Sequence, residues 1–424
     1  MNRVLPHKVG FWFVAAAFAT LQAFGTVPTP LWPLYAVRDH LSSTEVTATF
    51  AAMVIGAAGS LLFLGHLSDR WGRRRIIVPA LGTGIAAAVV MAVWPTLPGL
   101  LAGRVLTGVA VGLMAATATA YLTDLHRAAV PGRPAGRLPA TVASAANLGG
   151  LSAGPVVGGA VAQWVGHPLT TPYVIFVVMM ALGMAAVLAT PETVDPSLPA
   201  VTAARFLLRT GRRAAFTGAV TVAFCAFAVF GLFSSIGSLI VRGDLHVTSP
   251  FVWGVAAFVV LGTSAVVQTV LAALPTTRML VIGLAATPIG MAAVVYALYH
   301  PSLAWYLLGS AAAGAGAGLL FKAALTVAIS TADASARAGV LAVFFVVAYL
   351  GIGLPPILLA AAGQAISIRI AMIVFSVVII GVAALAGRLQ ATALDPSTGS
   401  PGRTDTPRTA PHSSAQQTAD ISAL

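Results

Sequence analysis

Residues 65–75 read GHLSDRWGRRR, and the stretch brings an aspartate, a histidine and four arginines together in a chain of which only 8% is charged. On both sides the sequence turns apolar at once, over residues 44–64 and 76–94. Each flank supplies the ~20 residues that a helix needs to cross a bilayer. A charged turn between two such flanks is a loop at a membrane face.

The same alternation runs along the whole chain. Of its 424 residues 58% are hydrophobic, and the mean hydropathy is +0.94, more apolar surface than a soluble core can bury. Uninterrupted apolar stretches predict twelve spans, at 9–36, 44–64, 76–94, 98–121, 139–164, 172–190, 214–241, 251–274, 279–299, 302–330, 337–362 and 367–389. The N-terminal apolar run continues past residue 30, too long for the core of a signal peptide, and is read as the first span. With the N-terminus inside, 18 of the 23 Lys and Arg fall on inner segments, against Arg38, Arg242 and Arg369 outside. That asymmetry predicts a multi-pass protein of the plasma membrane with both termini cytoplasmic. A pI near 11.0 does not signal nucleic acid, because the basic residues form no soluble module with interleaved aromatics. The single cysteine, Cys225, excludes an internal disulfide, and no His or Cys cluster has metal-ligand spacing. No metal or cofactor is implied.

Residues 191–213 form the longest break and divide the spans into two sixes. The predicted organisation is an N-terminal bundle over 1–190, a cytoplasmic linker over 191–213 and a C-terminal bundle over 214–389. Residues 390–424, rich in Pro, Ser and Thr, bury too little to offset their ordering entropy and predict a disordered cytoplasmic tail. An offset of 206 lays LLAGRVLTGVAVGL (100–113) on YLLGSAAAGAGAGL (306–319), matching Gly103, Gly108, Gly112 and Leu113 to Gly309, Gly314, Gly318 and Leu319. An offset of 200 lays Pro155 on Pro355 and Arg137 on Arg337. Duplicated six-helix halves point to a transporter.

Three motifs now identify a resemblance. Gly65, Leu67, Asp69, Arg70, Gly72, Arg73 and Arg74 match without a gap the G-x-L-x-D-R-x-G-R-R pattern between the second and third helices of the major facilitator superfamily. Arg104, Gly108 and Gly112 match its fourth-helix motif, and Gly150, Gly154, Pro155, Gly158 and Gly159 its fifth-helix motif, with Thr141 where a further glycine is usual. The chain resembles the twelve-helix drug/proton antiporter branch. That resemblance implies an all-α integral membrane fold of two pseudo-symmetric six-helix bundles, the major facilitator fold. It also implies a latch in which Arg73 bridges Asp69 to Asp124, at the inner end of the fourth helix, against the start of the eleventh helix near Arg337. The second half lacks this motif at LAALPTTRMLVIG, 271–283, so the latch is one-sided. The glycines four apart on the fourth and fifth spans also read, without any family, as faces for close helix packing, and Pro155 as a kink.

None of the eleven acids falls in a predicted membrane interior, a departure from antiporters that carry the coupling proton on an embedded carboxylate. The membrane holds positive charge instead. Arg104 and Lys322 each cost ~2.5 to 3.5 kcal/mol at a helix centre, so both are candidates for the substrate or coupling-ion site, with snorkelling as the alternative. Gln22, Asn147 and Gln268, on helices that line the family's cavity, are weaker candidates, and interhelical bonding is their plainer role. Phe224, Phe227, Phe230 and Phe233 form a stripe along the seventh span that is either an aromatic wall or ordinary packing.

These features predict no enzyme, since no nucleophile, paired carboxylates or soluble domain is present. They predict a secondary transporter working by alternating access as a monomer in the lipid bilayer. The expected task is efflux of small hydrophobic or amphiphilic molecules, with protons as the exchanged ion. The alternative is uptake or facilitated diffusion of a small, anionic metabolite without proton coupling.

Overall fold

A computed structural model describes residues 5–64, 71–131, 136–194, 207–333 and 336–391. Twelve long helices are present among them: α1, in two pieces, His7–Thr26 and Trp32–Arg38; α2, Ser43–Leu64; α3, Arg73–Val93; α4, Leu97–Ala129; α5, Leu138–Trp164; and α6, Thr171–Leu188. The second set comprises α7, Arg213–Ser235, with a short extension Gly237–Gly243; α8, Pro250–Val270; α9, Thr276–Tyr299; α10, Leu303–Thr331; α11, Arg337–Ala365; and α12, Ile368–Ala391. Eleven are long and apolar enough to cross a membrane. The other, α5, is 27 residues long, and its hydropathy is diluted by five glycines. Helix α4 runs to Ala129, eight residues beyond the predicted end of its span. Residues 390–424 were predicted to be a tail; all but the last residues of α12 among them lie outside the described residues.

Apolar side chains form one core within α1–α6, from Phe11 to Val187, and another within α7–α12, from Ala215 to Ala386. Lipid tails are as apolar as leucine, so these helices gain little by merely meeting and depend on close backbone approach. Glycine supplies it in matching places. On α4, Gly108 lies against the Met53 carbonyl and Gly112 against Ala57 and Ser60 of α2; on α10, Gly314 lies against the Val260 carbonyl and Gly318 against Ser264 of α8. Gly103 packs on Met91 of α3 and Gly309 on Val294 of α9, so the repeat holds for both neighbours of each helix.

Helix α1 breaks where Pro28, Pro30 and Pro33 remove amide donors. Carbonyls at and beside the break take partners from the other half, among them Thr29, which loses Pro33 as a donor. Ser238 donates to the Thr29 carbonyl at 2.9 Å and Arg242 to the Pro33 carbonyl at 2.7 Å, both across the two halves. Ser249 donates to Gln163 Oε1 at 3.0 Å and Gln364 to Thr44 Oγ1 at 2.8 Å, also across the halves. All four bonds lie at the end of the bundle away from Arg73, Arg74 and Arg337.

The same end holds close backbone contacts between the halves. Gly254 of α8 lies on the Pro155 carbonyl, and a Cβ on Gly159 of α5 would stand 2.5 Å from the Pro250 carbonyl. A larger side chain at either site must push α5 and α8 apart. In a Cys225→Ser background, cysteines introduced as Gln163→Cys and Ser249→Cys should cross-link readily. Adding Gly254→Leu should lower the cross-linked fraction by about tenfold, the response to ~1.4 kcal/mol, and an unchanged fraction would show that this contact does not hold the end shut.

Candidate functional site

The halves also meet through α2 and α11, where Phe50, Met53 and Val54 pack on Tyr349 and Ile352. Behind Tyr349 stands an aromatic cluster built by α7, α10 and α11. Phe227 lies 5.0 Å from Phe321 and 5.9 Å from Tyr349 between ring centroids, and Phe321 lies 6.3 Å from Phe345. These four rings are only half-buried, although they sit within long apolar helices. The predicted phenylalanine stripe therefore divides: Phe230 and Phe233 are buried in the core of the second half, while Phe224 and Phe227 keep partial exposure. Tyr349, Phe321 and Phe345 were missed in the sequence because a single aromatic residue in an apolar span carries no periodic signal.

Arg104 is 1% exposed. Its guanidinium donates to the Gly25 carbonyl at 2.8 Å and to Met53 Sδ at 2.9 Å, and lies 5.6 Å from the centroid of Phe50 and 6.0 Å from that of Trp32. Gly25 is four residues before Thr29, in the turn where α1 departs from regular helix. Arg104 thus replaces a missing backbone donor inside the first half, with aromatic faces as the rest of its shell.

Lys322 is half-buried on α10, and its Nζ donates to the Gln268 carbonyl in the last turn of α8. Carbonyls there have no partner within the helix, so the ammonium caps α8. Gln268 itself donates to Ser264 Oγ at 2.9 Å. Gln22 is buried beneath Gly150, and its Oε1 has no hydrogen-bond partner among the described residues. Asn147 is half-buried on α5, three residues before Gly150.

The α5 glycines face α1: Gly150 lies 2.5 Å from the Ala19 carbonyl by its would-be Cβ, Gly154 meets the Ala23 carbonyl, and Gly158 the Val27 carbonyl. Together with Pro155 and Gly159, which face α8, they place α5 between the broken helix of its own half and the other half.

At the basic end, Gly65, Asp69 and Arg70 lie outside the described residues. Gly72 has φ +105°, a conformation suited to glycine, and Glu192 fills the space a Cβ would need. Arg73 Nε stands 3.2 Å from Asp124 Oδ2. Glu192 caps α3, accepting from the amides of Arg73 at 2.9 Å and Arg74 at 3.0 Å, a favourable place for a carboxylate. The Arg74 side chain donates to the carbonyls of Leu188 and Thr190, both at 3.2 Å. Glu192 was not singled out in the sequence, since it stands 119 residues from Arg73 in a linker without a motif.

The described acids gather at the two ends of the bundle. Asp39, Glu45 and Asp244 lie at one, and Asp124, Glu192 and Asp333 at the other. In the loop before α8, burial pushes the Asp244 carboxyl above its ordinary range, opposed by Arg369 and His246.

Known proteins agree with this architecture. The family model described as Major Facilitator Superfamily matches residues 12–287. The chain is 30% identical to the uncharacterized MFS-type transporter YfkF of Bacillus subtilis over 43% of its own length and 46% of that protein's. It is 32% identical to the multidrug resistance protein MdtL of Escherichia coli over 22% of its own length and 24% of that protein's. The chain therefore spans less than half the length of these curated relatives. A solved bacterial homologue of the human lysosomal transporter Spinster, inward-facing and unoccupied, superposes with a TM-score of 0.68 over 91% of this chain and 98% of that one, at 16% identity. With motif, repeat, helix packing and family model in accord, the chain belongs to the Major Facilitator Superfamily and is a multi-pass membrane transporter.

Proposed function

We propose that this transporter exports small hydrophobic or amphiphilic molecules across the plasma membrane by alternating access. The observation that carries the reading is the half-buried aromatic cluster of Phe227, Phe321, Phe345 and Tyr349 at the junction of the halves, a surface suited to flat apolar molecules. Local likeness to a multidrug resistance protein supports it. In this reading residues 1–190 and 214–389 rock as two units about the linker 191–213, and a single chain is the working unit.

Both termini lie in the cytoplasm, so the seal between α5 and α8 closes the outer mouth and the cavity loads from inside. Arg104 and Gln22 belong to the frame that holds α1 in place; Lys322, Gln268 and Asn147 are the polar residues nearest the substrate path. Proton exchange supplies the drive. With the described carboxylates confined to the ends, the exchanged proton does not ride on an acid in the middle of a span.

Reconstituted vesicles with an imposed pH gradient test this directly. A hydrophobic fluorescent amine or acid should be moved against its own gradient, and collapse of the pH difference should stop it. Movement only down the substrate gradient would remove proton exchange and favour a facilitator of metabolites.

We also propose that Arg73 and Asp124, with Asp69, form a latch that meets α11 near Arg337 when the cavity faces outward. Asp124→Asn should slow transport by about two- to fivefold, the scale of a half-exposed ion pair. Relative rates among substrates should not change. A changed substrate preference would place Asp124 in recognition instead.

A further inference from the structure

The two embedded cations occupy matching helix faces, but at opposite ends of them. On α4 the face toward α2 carries Arg104, Gly108 and Gly112; on α10 the face toward α8 carries Gly314, Gly318 and Lys322. When the glycines are laid over one another, Arg104 falls on Ser310, and Lys322 lies about 18 Å further along at ~1.5 Å per residue. The consequence is a difference in access. Arg104 is enclosed near the sealed end, whereas Lys322 stands half-buried on the other side of the glycines.

Lys322 is also incompletely satisfied. An ammonium has three donors, and the Gln268 carbonyl takes one. No further acceptor for the other two is found among the described residues. No described carboxylate lies at its depth, since all six stand at the ends of the bundle. The preceding residue, Phe321, belongs to the aromatic cluster, so the charge and the rings stand on adjoining faces of one helix, about 100° apart, within the span of one bound molecule.

We propose that Lys322 and the rings of Phe227, Phe321, Phe345 and Tyr349 form a binding site for aromatic organic anions. The anionic group accepts the free donors of Nζ, and its ring packs against Phe321 and Phe227. A charge-assisted bond of this kind is about twice as strong as a neutral one, and here it also offsets the cost of an unpaired ammonium in the membrane. An aromatic cation meets the same rings but is repelled by Lys322, with no acid among the described residues beside it to compensate. The inference rests on the reading of this cluster as the substrate site and adds the sign of the substrate's charge.

Two probes of similar shape and permanent charge separate the possibilities: naphthalenesulfonate and methylquinolinium, each followed by fluorescence in vesicles containing the full chain. The sulfonate should move faster by about tenfold or more, a preference of ~1.4 kcal/mol. Lys322→Gln should abolish that preference, and Lys322→Arg should keep it. A purely capping lysine would instead alter both rates together, leaving their ratio unchanged, and that result overturns the assignment of Lys322. Faster movement of the quinolinium overturns the anion site while leaving export of aromatic molecules intact. Movement of neither probe overturns both. Thermal unfolding of each variant, compared with the parent, identifies loss of folding, and Lys322→Arg then carries the comparison.

Discussion

Backbone lying on backbone is the contact on which this structure depends. In lipid, a helix gains nothing by hiding leucine from leucine, and the available gains are dispersion at short range and polar groups satisfied by neighbours. Gly108, Gly154, Gly254 and Gly314 each rest on a carbonyl of another helix, and none of these places has room for a methyl group. Two of the four pairings join helices within the first half, one joins helices within the second, and Gly254 joins the halves. The contact that builds each bundle is thus also the one that closes them together, which lets a closed end be firm without a large apolar interface.

Tight packing leaves few ways to satisfy a broken helix, and the chain meets that need with long side chains. Around the prolines of α1, the carbonyls of Gly25, Thr29 and Pro33 take side-chain donors. Arg104 serves the first from within the half, and Ser238 and Arg242 serve the others from across it. The internal bond persists whichever way the halves rock, but the two external ones must break for this end to open. Freed carbonyls then face water in an open mouth, where hydration replaces the lost donors at modest cost. The break in α1 is therefore compatible with both states, as a continuous buried strand of unpaired carbonyls would not be.

The spans, their pairing into halves and the glycine faces were legible in the sequence because each rests on a period or a repeat. The offset of 206 marks the α4 and α10 faces whose glycines meet α2 and α8, whereas of the charged stretch 65–75 the arginines Arg73, Arg74 and Arg75 open α3. What escaped was whatever depends on a single residue. Glu192 caps α3 across 119 positions, and Tyr349 meets Phe227 through the crossing of α7 and α11. The phenylalanine stripe illustrates the limit: a three-residue repeat drifts around a helix, so Phe233 ends in the core and Phe227 at the junction. For Arg104 the sequence leaves snorkelling open, because position along a span does not reveal that a broken neighbour offers a carbonyl.

The basic end shows why charge there need not oppose movement. Arg73 is held at its amide by Glu192 and at its guanidinium by Asp124, and Arg74 reaches the end of α6 through the Leu188 and Thr190 carbonyls. Every one of these partners belongs to the first half or to the chain just leaving it. A helix N-terminus with its own carboxylate cap does not need a partner from α11 to be stable, so rocking of the halves leaves the caps intact. Glu192 ties the departing chain to α3 at the place where the first half ends, and α3, α4 and α6 must then move together. Charges concentrated in so apolar a chain serve first to make one half rigid, and that rigidity is the condition for any motion between halves to reach the opposite end.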